Sequence, residues 1–282
     1  MSSPATVLRP SLGSQATPPR SSGMALAPVA RVAPLDRLAG SLIGRNPVVR
    51  RMLLASFVSG CGDRLHQVAL AALILALTNS LASAGLVFVV STLPYALFGL
   101  PLGAMVDRWD RRTAMIAADL VRALTVLAVP AAAFVSLPLV YPLLFGLTCA
   151  TMVFTPARQA AIPDVVAPDD LPRANILFQA VNYLVDLLVL PLAGVLVAVC
   201  TLAFGLHGGA VTIFSLDALS YLASAVLLLG MPRSRAPRVA HESASPRLLE
   251  QVVAGLRFLF GHPRLRTNTL LLTVGPLLLG SL

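Results

Sequence analysis

The 282-residue chain is 57% hydrophobic and only 12% charged, with a mean hydropathy of +0.83, which takes it outside the range of ordinary soluble domains. The basic residues behind its formal net charge of +9 are all arginine and are distributed among particular loops, not gathered into one patch with interleaved aromatics, so a nucleic-acid surface is excluded. Cys61, Cys149 and Cys200 stand singly inside apolar runs without metal-ligand spacing, and read as small apolar fillers.

Residues 1–46 are rich in Ser, Pro, Ala and Arg and lack the apolar core and cleavage site of a secretory signal; they read as a disordered cytoplasmic tail. Apolar segments then recur at 52–77, 81–105, 113–136, 138–158, 174–204 and 209–231, each near the ~20 residues that cross a bilayer. The expected fold is an all-α integral membrane protein with a six-helix bundle over residues 47–231. Residues 232–266 read as a cytoplasmic linker. Within it Ser245 and Pro246 mark a helix start, and Leu248, Leu249, Val252, Val253, Leu256, Leu259 and Phe260 recur at helical spacing, predicting an amphipathic helix on the membrane surface. The apolar run 267–282 is shorter than the ~17–25 residues of a span and reads as an incomplete seventh transmembrane helix.

Arginine placement predicts orientation, because Arg and Lys accumulate on the cytoplasmic side. The loops TNSLAS, SLPL and FGLHGG carry neither residue, whereas the alternate loops carry Arg108, Arg111 and Arg112, then Arg158 and Arg173, then Arg233, Arg235 and Arg238, and Arg50 and Arg51 precede the first span. The amino terminus is therefore expected in the cytoplasm, with the plasma membrane as the location.

Between the second and third segments stands GLPLGAMVDRWDRRTAM, in which Gly103, Asp107, Arg108, Arg111 and Arg112 resemble the G-x-x-x-D-R-x-x-R-R loop of the major facilitator superfamily. GDRLHQVAL in the first segment is similar to the Gly-Asp stretch of drug and macrolide exporters in that superfamily, and FTPARQAAIPDVVAPDDLPRAN resembles their loop after helix 4. The resemblance implies a fold of two six-helix halves around a cavity open alternately to either side. It also implies transport of small amphipathic molecules, with proton-coupled efflux as the reading and Gly103, Asp107, Arg108, Arg111 and Arg112 as a cytoplasmic gate. This chain supplies the amino-terminal half only.

Charged residues inside spans are costly and usually face protein or water. Asp63 and Gln67 are four apart and share a helix face, while Arg64 and His66 project elsewhere. Asp63 either takes up a proton or a cationic substrate, or forms an ion pair with Arg64 or another helix. Asn175, Gln179, Asn182 and Asp186 form one polar stripe, either a wet face with Asn182 and Asp186 in proton or substrate coupling, or an interhelical hydrogen-bond ladder. Asp119 and Arg122, three apart, predict a structural ion pair in the cytoplasmic half. Pro191 and Gly194 match part of the antiporter segment of the superfamily, with Leu190 where glycine is expected; a simple kink is the other reading. Asp217 has no assignment, and His66 and His207 lack a second ligand, so no metal site is expected.

No G-x-S-x-G, H-E-x-x-H or phosphate-cradling loop is present, so the chain is not read as an enzyme and no cofactor is expected. The expected partners are a small-molecule substrate, protons and the lipid bilayer, with a second half-unit or a homodimer to complete the cavity. The alternatives are a truncated half-transporter acting as a membrane scaffold, and a lipid flippase or uniporter of the same fold.

Overall fold

The computed structural model describes residues 43–106 and 109–233, together with positions 257, 261, 262, 265 and 267. The tail up to residue 42, Asp107, Arg108 and most of the linker and of the last apolar run lie outside the described residues.

The described chain is helical throughout, without a strand. Helix α1 spans Pro47–Thr78, α2 Leu81–Val106, α3 Arg111–Val135, α4 Val140–Val165 and α5 Leu171–Leu229. The boundaries of α1 and α3 and the head of α2 have local causes. The Asn46 side chain accepts from the Val48 and Val49 amides, and Pro47 opens α1. Asn79, in the left-handed region at φ 48°, closes it with its amide on Leu75 O. Ser80 then receives the Ser83 amide at the head of α2. Asp110 caps α3 through the Thr113 amide at 3.0 Å, and Ser136, in extended conformation, ends it.

Four of the described helical stretches, Pro47–Thr78, Arg111–Val135, Leu137–Val165 and Pro168–Leu229, are long and apolar enough to cross a membrane, and the chain is a multi-pass membrane protein. The last of these is not one rod. At 1.5 Å per residue its 62 residues would extend about 93 Å, three times the hydrocarbon thickness. The run breaks at Gly205, whose φ of 71° and ψ of 176° are open essentially to glycine alone. The two arms, 171–204 and 206–229, then fold back on each other. A Cβ on Gly209 would lie 2.9 Å from Thr201 Cα, a contact that residues eight apart in a continuous helix cannot make. His207 stacks on Phe134 beside this turn, with ring centroids 4.4 Å apart.

The bundle interior is divided into two apolar clusters. One contains Met52, Met115, Phe154, Phe178 and Leu228, and the other Leu70, Leu73, Val126, Leu147, Phe214 and Tyr221. The end nearest the first cluster is tied by polar bonds: Asn46 Nδ2 donates to Val165 O, Arg51 to Gly230 O at 2.5 Å, and Arg111 to Ala160 O at 2.9 Å and Asp164 Oδ2 at 3.0 Å. The outside is greasy, with Leu124 at 71%, Leu187 at 72% and Leu202 at 87% exposure, as a lipid-facing surface requires.

Candidate functional site

The two apolar clusters leave a gap in register across the bundle, filled by polar side chains. In α3 Ala118 belongs to one cluster and Ala123 to the other, so Asp119 and Arg122 fall between them. In α1 the gap lies between Ala55 and Ala69 and holds Asp63, Arg64, His66 and Gln67. The second arm of α5 contributes Asp217, Ser220, Tyr221 and Ser224 from a single face, spaced three, one and three apart. Because α1 begins at Pro47 and not near residue 52, Asp63 sits at its midpoint.

Arg122 anchors this layer. It is 1% exposed, pairs with Asp119 one turn earlier, and its guanidinium is held between two rings, 4.2 Å from the Phe154 centroid and 4.4 Å from that of Tyr221. The Tyr221 hydroxyl donates to Asp63 Oδ1 at 2.5 Å, and Arg122 Nη1 lies 3.8 Å from the same oxygen. The Asp119–Arg122 ion pair read from spacing is present, but it forms part of a four-residue network with Asp63 and Tyr221.

A second pair crosses from α1 to the last arm: His66 Nδ1 is 2.7 Å from Asp217 Oδ2, and Ser220 Oγ donates to Asp217 Oδ1 at 3.3 Å. Asp217 is wholly buried. Glycine makes this approach feasible, since a Cβ at Gly62 would stand 2.0 Å from Asp217 Oδ1 and 2.1 Å from Ser220 Oγ. A third pair joins α1 to the first arm, with Arg64 Nε 2.6 Å from Asp186 Oδ1 and Arg64 Nη1 donating to Gln67 Oε1 at 2.9 Å. Thus Arg64 shares the face of Gln67, and Asp63 pairs across helices with Tyr221 and Arg122.

Two cavities meet at this layer. The smaller, of about 110 Å³, lies toward the Arg111 end and is bordered by Ser56, Asp63, Arg64, Arg122, Arg158, Asn182 and Asp186. The larger, of about 390 Å³, lies toward the opposite end and is bordered by Asp63, Arg64, His66, Gln67, Tyr95 and Thr148. Asp63, Arg64 and Thr151 belong to both walls. Of the residues singled out from sequence, Asp63, Gln67, Asn182 and Asp186 therefore reach a cavity, whereas Asn175 and Gln179 are exposed nearer the start of α5. Pro191 and Gly194 are exposed too, with nothing within 4 Å of a Cβ built on Gly194.

Gly103 falls within α2, and Arg112 is half-buried at the start of α3. Of the gate motif only Arg111 has bonds among the described residues, to the end of α4. Sequence reasoning missed Asp217, His66, Tyr221 and Arg158 as members of the layer. The signal for the first and third was present in the Asp217, Ser220, Tyr221 and Ser224 spacing. No candidate metal cluster occurs among the described residues.

Comparison with known proteins places this arrangement. The family model described as "Transmembrane secretion effector", of the major facilitator superfamily, matches residues 43–271. The chain is 29% identical over 230 residues to the uncharacterised MFS-type transporter YfiS of Bacillus subtilis, covering 80% of this chain and 52% of that protein. It is 35% identical over 124 residues to macrolide efflux protein A of Streptococcus pyogenes, covering 41% of this chain and 31% of that one. With multidrug efflux pump Tap of Mycolicibacterium fortuitum it shares 27% identity over 242 residues, 79% of this chain and 54% of the pump. The chain thus spans about half the length of the longest of these matches. No solved structure matches it. With the family model covering most of its length, the chain belongs to the transmembrane secretion effector family of major facilitator superfamily transporters.

Proposed function

We propose that the chain forms the cavity-bearing bundle of a proton-coupled exporter of small amphipathic molecules that works by alternating access. The observation that carries this reading is the position of Asp63, which borders both cavities at the level where the apolar packing is interrupted. A carboxylate at such a waist exchanges protons with either side in turn as one cavity closes and the other opens.

The charge count of the layer supports a proton in the cycle. The carboxylates Asp63, Asp119, Asp186 and Asp217 face the guanidiniums of Arg64, Arg122 and Arg158, with His66 the remaining titratable base. The carboxylates outnumber the guanidiniums by one, and a proton on His66 would balance the layer. Among the four carboxylates Asp63 alone borders both cavities. Asp186, Asn182 and Gln67 supply the polar wall that a substrate meets beside it.

In this reading α1 to α4 and the two arms of α5 are six spans of the plasma membrane. The amino terminus is cytoplasmic, because Arg45, Arg50, Arg51, Arg111, Arg112, Arg173 and Arg233 gather at one end of the bundle. Arg111, bonded to the end of α4, latches that side with Gly103, Asp107, Arg108 and Arg112, and Asp119–Arg122 holds the bundle interior. A second six-helix half completes the cavity. The names of the macrolide and multidrug efflux relatives support small-molecule export. The test is Asp63→Asn in proteoliposomes under an imposed pH gradient: drug movement driven by the gradient should vanish while insertion and the amount of folded protein stay the same. Unchanged gradient-driven movement removes Asp63 from the mechanism, and movement indifferent to collapse of the gradient identifies a uniporter.

A further inference from the structure

The smaller cavity contains a cation without an ion-pair partner among the described residues, although Asp63 and Asp186 border the same space. Arg64 is matched by Asp186, and Arg122 by Asp119 with Asp63 nearby, but Arg158 has no carboxylate within ion-pair distance among the described residues. The Phe178 ring centroid lies 6.0 Å from its guanidinium carbon. Two deeply buried groups on the same wall are also unsatisfied. Ser56, 5% exposed, has an Oγ without a hydrogen-bond partner, and the Nε of Arg122 has none either. Buried polar groups are ordinarily paired, and the orphaned Ser56 hydroxyl and Arg122 N–H, beside an Arg158 guanidinium without an ion pair, make a donor set that lacks an acceptor.

We propose that this cavity is an oxyanion site: the carboxylate or phosphate group of the transported molecule occupies it, paired with Arg158 and hydrogen-bonded by Ser56, with the Arg122 edge behind. The arginine fork suits either anion. A volume of about 110 Å³ holds several water-sized groups, enough for a charged head but not for a whole amphipathic molecule. The apolar remainder of the ligand extends toward the larger cavity past the shared wall of Asp63, Arg64 and Thr151. This inference deepens the transport reading by fixing the charge of the substrate, and it replaces the cationic substrate expected from Asp63 alone. In this arrangement Asp63 opposes the anion, because it faces the same cavity with like charge, so neutralising Asp63 should strengthen binding.

The test is an equilibrium measurement, and it stands apart from transport. The full chain, purified in detergent, is unfolded thermally in increasing benzoate or phenyl phosphate, at ionic strength held constant with chloride and with choline as the cationic control. Ligand binding to the folded state raises the unfolding temperature saturably. The wild type should respond to one or both anions and not to choline. A response to benzoate alone identifies a carboxylate site, and one to phenyl phosphate alone a phosphate site. Arg158→Gln should abolish the response, Arg158→Lys should raise the half-saturating concentration roughly tenfold, Ser56→Ala by several-fold, and Asp63→Asn should lower it. If Arg158→Gln fails to fold, the Lys and Ser56 variants decide. No anion-specific response in the wild type, or an unchanged half-saturation in both Arg158→Lys and Ser56→Ala, overturns the proposal. Gradient-driven transport of a cationic drug by a protein that fails this test would leave the transport reading standing and refute the anion site alone.

Discussion

Two glycines one turn-fraction apart on α1 make opposite predictions. At Gly62 a Cβ would lie 2.0 Å from Asp217 Oδ1 and 2.1 Å from Ser220 Oγ, whereas at Gly60 it would meet Val185 Cγ1 at 3.5 Å, an ordinary van der Waals distance. To admit Gly62→Ala, the Asp217 carboxylate or the whole helix must retreat by roughly 1.5 Å to restore normal contact. Asp217 has no room to yield, since it is fully buried and held by His66 at 2.7 Å. Overpacking a tight interior costs about 1–3 kcal/mol, and disrupting a buried charged pair about 3–5 kcal/mol. Alanine regains about 1 kcal/mol of helix propensity over glycine, so disruption of the pair alone leaves a net loss of roughly 2–4 kcal/mol for Gly62→Ala, against a small gain for Gly60→Ala. The assay is thermal unfolding of the purified chain followed by a thiol-reactive fluorophore, for which Cys200, 6% exposed, is the natural reporter. Gly62→Ala should unfold well below the wild type and Gly60→Ala at or slightly above it. Equal stability of the two variants would refute the claim that the His66–Asp217 pair depends on close helix approach.

Two other substitutions test the frame around the layer. Gly205→Ala places a side chain at φ 71° and ψ 176°, so it should cost about 1–3 kcal/mol in the same unfolding assay; a neutral result would mean that the two arms of α5 do not turn there. Arg111→Ala removes the bonds to Ala160 O and Asp164, which are partly solvent-screened, so stability should fall by no more than about 1 kcal/mol. The same change should increase labelling of cysteines introduced at the Arg111 end of the smaller cavity, and unaltered labelling would argue against a latch.

The sequence carried the fold further than the site. Segment lengths and the arginine asymmetry are local properties that the sequence shows directly, whereas the Pro47, Asn79 and Asp110 boundaries were missed, the first segment being expected from residue 52. The Gly205 break was legible as the apolar gap in FGLHGG, although the helical hydrogen bonding runs on either side of it almost without interruption. The site was harder because its partners are far apart in sequence: Asp63 and Tyr221 are separated by 158 residues, and Arg64 and Asp186 by 122. Spacing along one helix identifies a polar face but not what that face meets. Hence Asp119–Arg122, a pair within one turn, could be written down in advance, whereas His66 looked isolated and Asp217 purposeless. The small residue that makes their pairing feasible, Gly62, carries no polar signal at all.

The close packing at Gly62 also bears on how the layer moves. Gly62 and Asp63 are consecutive, and Asp217 and Tyr221 are one turn apart on the facing arm, so the His66–Asp217 and Asp63–Tyr221 bonds join the same two helices within a single turn. Neither bond can open by separation of the helices without disturbing the other. A substitution that relieves the crowding should therefore restore both. Ser220→Ala removes one of the two groups that the Gly62→Ala methyl would strike and leaves Asp217 Oδ1 at 2.0 Å, so in the double variant the alanine at 62 should cost less than it does alone without becoming neutral, because residues in contact are not additive. If the two substitutions instead add independently, the methyl is accommodated by a shift of α1 as a whole and Asp63 must move relative to Tyr221. Partial recovery of stability together with gradient-driven transport in the double variant would show that the separation of α1 from the last arm, and not the Ser220 hydroxyl, is what the proton-carrying layer requires.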